Sequence, residues 1–123
     1  MDDPAAHWRE ELRPLLLAAR KDRDAIRVSA LRSALSAIDN AETLDAGHLD
    51  VPTAGTIAGS VAGLGAAEVP RRTLTDAEIR TLLRTDVADR LAAAELMDAG
   101  GHSERATTVR AEAAVLAELI GDV

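Results

Sequence analysis

Residues 75 to 121 constrain this chain more tightly than any other stretch. Thr75-Asp76-Ala77-Glu78 has the form of a capping box. The Thr75 hydroxyl can accept the Glu78 amide, and the Glu78 carboxylate can reach back to the Thr75 amide. Behind it Ile79, Leu83, Val87, Leu91, Ala94 and Met97 recur at helical spacing and form one long apolar stripe. Gly100-Gly101 stops that helix, because glycine accepts the left-handed cap at little cost. Ser103 is placed to cap a second helix, with Val109, Ala113, Leu116 and Ile120 as its stripe and Gly121 as its end. A connection this short predicts an antiparallel αα-hairpin. Asp76–Arg80 and Asp86–Arg90 are acid-then-base pairs at i, i+4, expected on an exposed face.

The first half reads as two more helices. Asp3-Pro4 is a capped start with proline at the first helical position. Trp8, Leu12, Leu15 and Ala19 follow at helical spacing, with Leu16 beside them. Pro14 interrupts this pattern, so the helix either kinks near Glu10 or begins later. A second helix is expected from about Arg23 to about Glu42, carrying Val28, Leu31, Leu35 and Ile38. Ala30, Ala34, Ala37 and Ala41 flank that stripe and let a neighbour come close. Ser29, Arg32, Ser36 and Asp39 lie on the other side. The chain has no Phe and no Tyr, and Trp8 is its only aromatic residue. Its core must be built from Leu, Ile, Val and Ala, which suits helices better than a sheet. The expected fold is all-α: one domain over residues 1–123, a bundle of four principal helices with the last two as the hairpin.

Residues 43–73 are expected to connect helices two and three. They contain the repeat "AGTIAGSVAGLGAAEV" (54–69), with Gly55, Gly59 and Gly63 at every fourth position. No charge appears from Val51 to Ala67. Small residues at this spacing can seat membrane helices together. A span needs about 20 apolar residues, however, and most of these are Gly, Ala, Ser or Thr. A phosphate loop needs a lysine before the following helix, and Lys21 is the chain's sole lysine. Gly63-Leu64-Gly65 starts like a dinucleotide fingerprint, but Glu68 stands where the third glycine belongs. Each interior glycine costs a helix about 1 kcal/mol relative to alanine. The stretch is therefore read as a connector, with a short helix packed through Ile57, Val61 and Leu64 as the other reading.

The chemistry expected of the chain is binding, not catalysis. Without cysteine there is no disulfide or thiolate site. Asp2 and Asp3 stand where a signal peptide would be basic, so a cytoplasmic location is expected. His7 and Glu11 have i, i+4 spacing that could share a metal, but read as a solvated helix face. His48 and His102 belong to no ligand pattern. Ser29, Ser36 and Ser103 have no neighbouring base or glycine elbow. No catalytic residue, cofactor, metal or small-molecule substrate is expected, and no membrane partner.

Charge is unevenly spread. The net charge of −7 opposes general nucleic-acid binding. Between His7 and Arg32, however, seven basic residues face four acids. Arg20, Lys21, Arg23 and Arg27 gather at the turn between helices one and two, with Arg32 further along. Arginine pairs with phosphate bidentately, so these five are the expected phosphate or RNA contacts. The other reading is a solvated turn whose charges pair with Asp22, Asp24 and nearby acids.

"KDRDAIRVSALRSALSAIDNAE" (21–42) resembles the first signature of the YqeY-like family, also called the GatB/YqeY family. Arg32, Leu35, Ile38, Asn40, Ala41 and Glu42 carry the likeness. "LTDAEIRTLLRTDVADR" (74–90) is similar to that family's capped helix at Thr75, Glu78, Leu83, Val87 and Arg90. "AGGHSERATTVRAEAAVLAELI" (99–120) is similar to its glycine turn and last long helix at Gly101, Ala111, Glu112, Leu116 and Glu118. The resemblance implies an all-helical fold related to the GatB tail of aspartyl/glutamyl-tRNA amidotransferase. There the tail helps hold tRNA. The family is also linked to carbon–nitrogen ligase activity with glutamine as amide donor, for which this chain offers no residues. The resemblance implies tRNA or a tRNA-processing protein as partner. The family's small C-terminal domain has no counterpart after Leu119-Ile120-Gly121, and the connector is longer than the family's. A protein-interaction or dimerisation module without an RNA role is the alternative.

Overall fold

The computed structural model describes residues 3–53 and 72–121. Four helices run through them: α1 Pro4–Lys21, α2 Ala25–Thr53, α3 Asp76–Ala99 and α4 Ser103–Ile120. No strand occurs among the described residues, and the helices pack as a bundle. The all-α expectation holds, and α3 and α4 form the antiparallel hairpin.

Local chemistry sets most helix ends. Asp3 caps α1, its carboxylate accepting the Ala6 amide at 3.4 Å. Both halves of the Thr75–Glu78 capping box form, at 3.0 and 2.9 Å. Gly101 takes the left-handed conformation (φ 85°) after α3. His102, not Ser103, is the cap residue of α4, and it makes no side-chain cap bond. Ser103 is already helical, and its carbonyl accepts the Thr107 hydroxyl.

One boundary follows the sequence reading and one differs from it. α1 begins at Pro4 and continues through Pro14. Pro14 and Glu10 are both exposed, so the carbonyl deprived of its amide donor faces water. α2 continues past Glu42 to Thr53, so its helix takes up the first third of the expected connector. Residues 43–53 hold a single helix-disfavouring glycine, Gly47, before Pro52. One glycine costs about 1 kcal/mol and does not stop a helix already propagating. The glycine repeat, and both readings of it, lie outside the described residues. No helix among the described residues is long and apolar enough to cross a membrane.

α2 is the central element, packed against α1 and α4 and touching α3. Its innermost residues are Ala30, Leu31, Ala34 and Ile38. The alanines face the neighbours directly, which allows close approach on two sides. Val28 and Leu35 are displaced to the margin of the core. Leu74, Ile79, Leu83 and Leu116 complete the buried centre. Leu91 on the expected α3 stripe and Leu15 on the α1 stripe are each 44% exposed. α3 packs mainly on α4 and only lightly on α1 and α2, so a narrower stripe is covered than its periodicity offers.

Candidate functional site

The turn between α1 and α2 is built from residues 22 to 24. The Arg23 amide donates to the Arg20 carbonyl (3.1 Å) and the Asp24 amide to the Ala19 carbonyl (2.9 Å). This is the Schellman arrangement, with Arg23 in the left-handed position at φ 56°. Asp24 then starts α2, its carboxylate accepting the Arg27 amide at 3.0 Å. The chain therefore reverses within three residues, and α1's last turn lies against α2's first turns.

Ala25, Val28, Ser29 and Arg32 recur at i, i+3, i+4 and i+7 and share one face of α2. That face and the side chains of Arg20 and Arg23 line an open groove. Ala25 and Val28 supply an apolar floor and Ser29 a hydroxyl. Three arginine side chains complete the lining, and among the described residues no Asp or Glu belongs to it.

The five expected contacts divide. Arg20, Arg23 and Arg32 are brought together in this groove. Lys21 is exposed beside it and is not part of the lining. Arg27 points elsewhere: its guanidinium lies 3.6 Å from Asp24 and 3.5 Å from Glu118 on α4. The alternative reading of the turn thus applies to Arg27. Ala25, Val28 and Ser29 are additions to the expected site. Their signal in the sequence is a helical row ending in Arg32, but a row without charge carries no binding signature.

The remaining polar clusters are closed on themselves. Arg9 on α1 donates to Asp39 and Glu42 on α2, and Glu42 is buried. Hydrogen bonding to Glu42, the largest influence, together with Asp39, holds the Arg9 guanidinium above the ordinary arginine range. Asp86 and Arg90, expected on an exposed face, are mostly covered. Ser33 on α2 donates to Asp86 at 2.8 Å, and Arg90 donates to Asp86 and to Glu112 on α4. Arg90 and Glu112, two positions marked by the family resemblance, thereby join α3 to α4.

Trp8 donates to Asp76 at 2.7 Å, and the Arg80 guanidinium lies 5.4 Å from the centre of its ring. Arg80 also donates to Asp76 and to the Ile120 carbonyl, each at 2.7 Å. Hydrogen bonds from Arg80 first, and then Trp8, hold the Asp76 carboxyl below the ordinary range. His7 and Glu11, the candidate metal pair, are 3.4 Å apart on the surface of α1. Among the described residues no third ligand joins them.

The contrast in pairing marks the groove out. Arg9, Arg27, Arg72, Arg80, Arg90 and Arg110 all make ion pairs. Among the described residues Arg20, Lys21, Arg23 and Arg32 make none, although acids outnumber bases 21 to 14. Arg13 on α1 and Arg105 on α4 are also without an ion pair among these residues. Compared with protein-family models, curated proteins and solved structures, the chain matches none of them.

Proposed function

We propose that this chain is a non-catalytic helical module that holds RNA, tRNA being the expected form, by its phosphate backbone. Arg20, Arg23 and Arg32 are the contacts, with Lys21 beside them. One observation carries the reading: three arginines that make no ion pair among the described residues share one groove in a chain of net charge −7. Guanidinium groups held apart from carboxylates keep their donors available to phosphate oxygens. The acidic remainder of the surface repels a polyanion, which confines it to this groove. The resemblance to the amidotransferase tail supports tRNA as the form of RNA.

The test is a titration of labelled tRNA at a series of salt concentrations. Three phosphate contacts predict a slope of log K against log salt of about −2 to −3. An Arg20→Gln/Arg32→Gln variant should lose most of the affinity and most of the slope. No binding at low salt, or equal binding by the variant, would end the proposal.

A protein-interaction or dimerisation module draws on Leu91 and Leu96, 44% and 75% exposed on α3. Light scattering tests its dimer form, which a strict monomer at high concentration removes.

A further inference from the structure

The groove does not end at Arg20. Arg9, Arg13, Leu16 and Arg20 recur at i, i+4, i+7 and i+11, so they form one row along α1. Both ends of this row are located by contacts with α2. Arg9 reaches Asp39 and Glu42, and Arg20 lines the groove with Ala25, Val28, Ser29 and Arg32. Arg13 stands between them on the same flank of α1. It is exposed, and among the described residues it makes no ion pair. Arg9 is different: two carboxylates neutralise it, and they would repel a phosphate there.

We infer that Arg13, Arg20, Arg23 and Arg32 form a single track for an unpaired RNA strand, closed at one end by the Arg9–Asp39–Glu42 cluster. The inference rests on the RNA-holding reading above and specifies its ligand. At 1.5 Å per residue, Arg13 to Arg20 spans about 10 Å of helix axis, and Arg23 follows in the turn beyond it. At about 3.4 Å of rise per nucleotide in a stacked strand, that length takes about three nucleotides, and Arg23 in the turn is placed for the next phosphate. Arg13 and Arg20 on α1 and Arg32 on α2 flank one groove, and a groove one helix spacing wide, about 8 to 10 Å, takes one strand, whereas a duplex divides its phosphates between two. The track reads backbone and not bases. It contains no aromatic ring on which a base can stack, and Trp8, the chain's only aromatic, is buried beside Arg80.

The test measures binding of the full chain to labelled oligoribonucleotides of three, six and twelve nucleotides and to a twelve-pair RNA duplex. Affinity is expected to rise from three to six nucleotides and then level off. The duplex should bind more weakly than the six-mer. Six-mers of A, U or C should bind within a few-fold of one another. Arg13→Ala should weaken six-mer binding about fivefold to tenfold and reduce the salt slope by about 0.7. Arg105→Ala removes the same charge from the start of α4 and should leave binding unchanged.

If Arg13→Ala matches Arg105→Ala while Arg20→Gln/Arg32→Gln is weakened, the track is overturned and the groove reading stands. Equal affinity for three and six nucleotides, or tighter duplex binding, overturns the track in the same way. If no RNA binds at low salt, or if phosphatidylserine vesicles bind with the Arg13 dependence and RNA does not, both readings fall.

Discussion

Arg23 occupies at the end of α1 the same left-handed backbone position that Gly101 occupies at the end of α3. Each is followed by the same pair of reversed hydrogen bonds. Arg23 and Asp24 donate to Arg20 and Ala19, as Gly101 and His102 donate to Asp98 and Met97. Glycine adopts this conformation freely, whereas a residue with a Cβ gives up about 1 kcal/mol. An arginine in glycine's place lowers stability, and its side chain lies in the groove. That exchange of stability for a placed charge is what a binding role for Arg23 predicts.

Arg23→Gly should therefore raise stability by about 1 kcal/mol, a rise of several degrees in Tm, while weakening RNA binding. Gly101→Ala should do the reverse to stability and leave binding alone. A Cβ at Gly101 meets nothing within 4 Å, so its loss of about 1 kcal/mol would be purely conformational. Thermal melts and the tRNA titration read both. A less stable Arg23→Gly variant would contradict the account of the turn.

The Arg9 cluster joins α1 to α2 and should behave as a stability element. Arg9→Met removes hydrogen bonds to a buried and an exposed carboxylate and should cost about 2 to 3 kcal/mol. In a double-mutant cycle with Glu42→Gln, urea unfolding should give a coupling of about 1 to 2 kcal/mol. Additive losses would show that the pair does not act as a unit.

Ser33 tests whether the second cluster is structural. Ser33→Ala removes one hydrogen bond to Asp86, which also accepts from Arg90. The expected cost is about 1 kcal/mol in urea unfolding, with unchanged RNA affinity. A change in affinity without a change in stability would place this cluster in the binding site instead.

The start of α3 should weaken in acid. Asp76 and Glu78 both titrate below their ordinary values of 3.8 and 4.5, so they bind protons less readily folded than unfolded. For Asp76 the main cause is hydrogen bonding from Arg80, and for Glu78 it is the Thr75 amide. The stability they add is complete above about pH 5 and is lost as the pH falls through their folded values. Following Trp8 fluorescence, the fall in Tm between about pH 5 and about pH 3 should be smaller in Asp76→Asn than in the parent. An equal fall would show that this end of α3 contributes nothing to the acid response.

Legibility in the sequence follows the range of the interactions. The Thr75–Glu78 box and the Gly101 turn are contacts within four residues, and both form as the sequence predicts. The end of α2 is harder to read, because one glycine and a later proline resemble a boundary while the cost of continuing the helix is small. Asp86–Arg90 reads as a surface pair because i, i+4 spacing says nothing of Ser33 and Glu112, which come from other helices. Of the expected basic cluster, packing brings Arg20, Arg23 and Arg32 to one groove and leaves Lys21 and Arg27 outside its lining. Arg27 follows Arg23 by four residues and is its equal in the linear chain, yet α4 brings Glu118 to it.

By itself the sequence determined the helical class, the capped α3, the glycine-closed hairpin and a core of aliphatic side chains. Each of these depends on periodicity or on groups a few residues apart, which a linear chain states directly. Tertiary structure alone decided which cations keep their charge unpaired. Arg9, Arg27 and Arg90 find carboxylates on other helices, and among the described residues Arg20, Arg23 and Arg32 do not. Ion pairing acts over a few ångströms in space, whatever the separation along the chain, so only the packing of the helices could separate Arg27, paired with Glu118, from the arginines that share the groove.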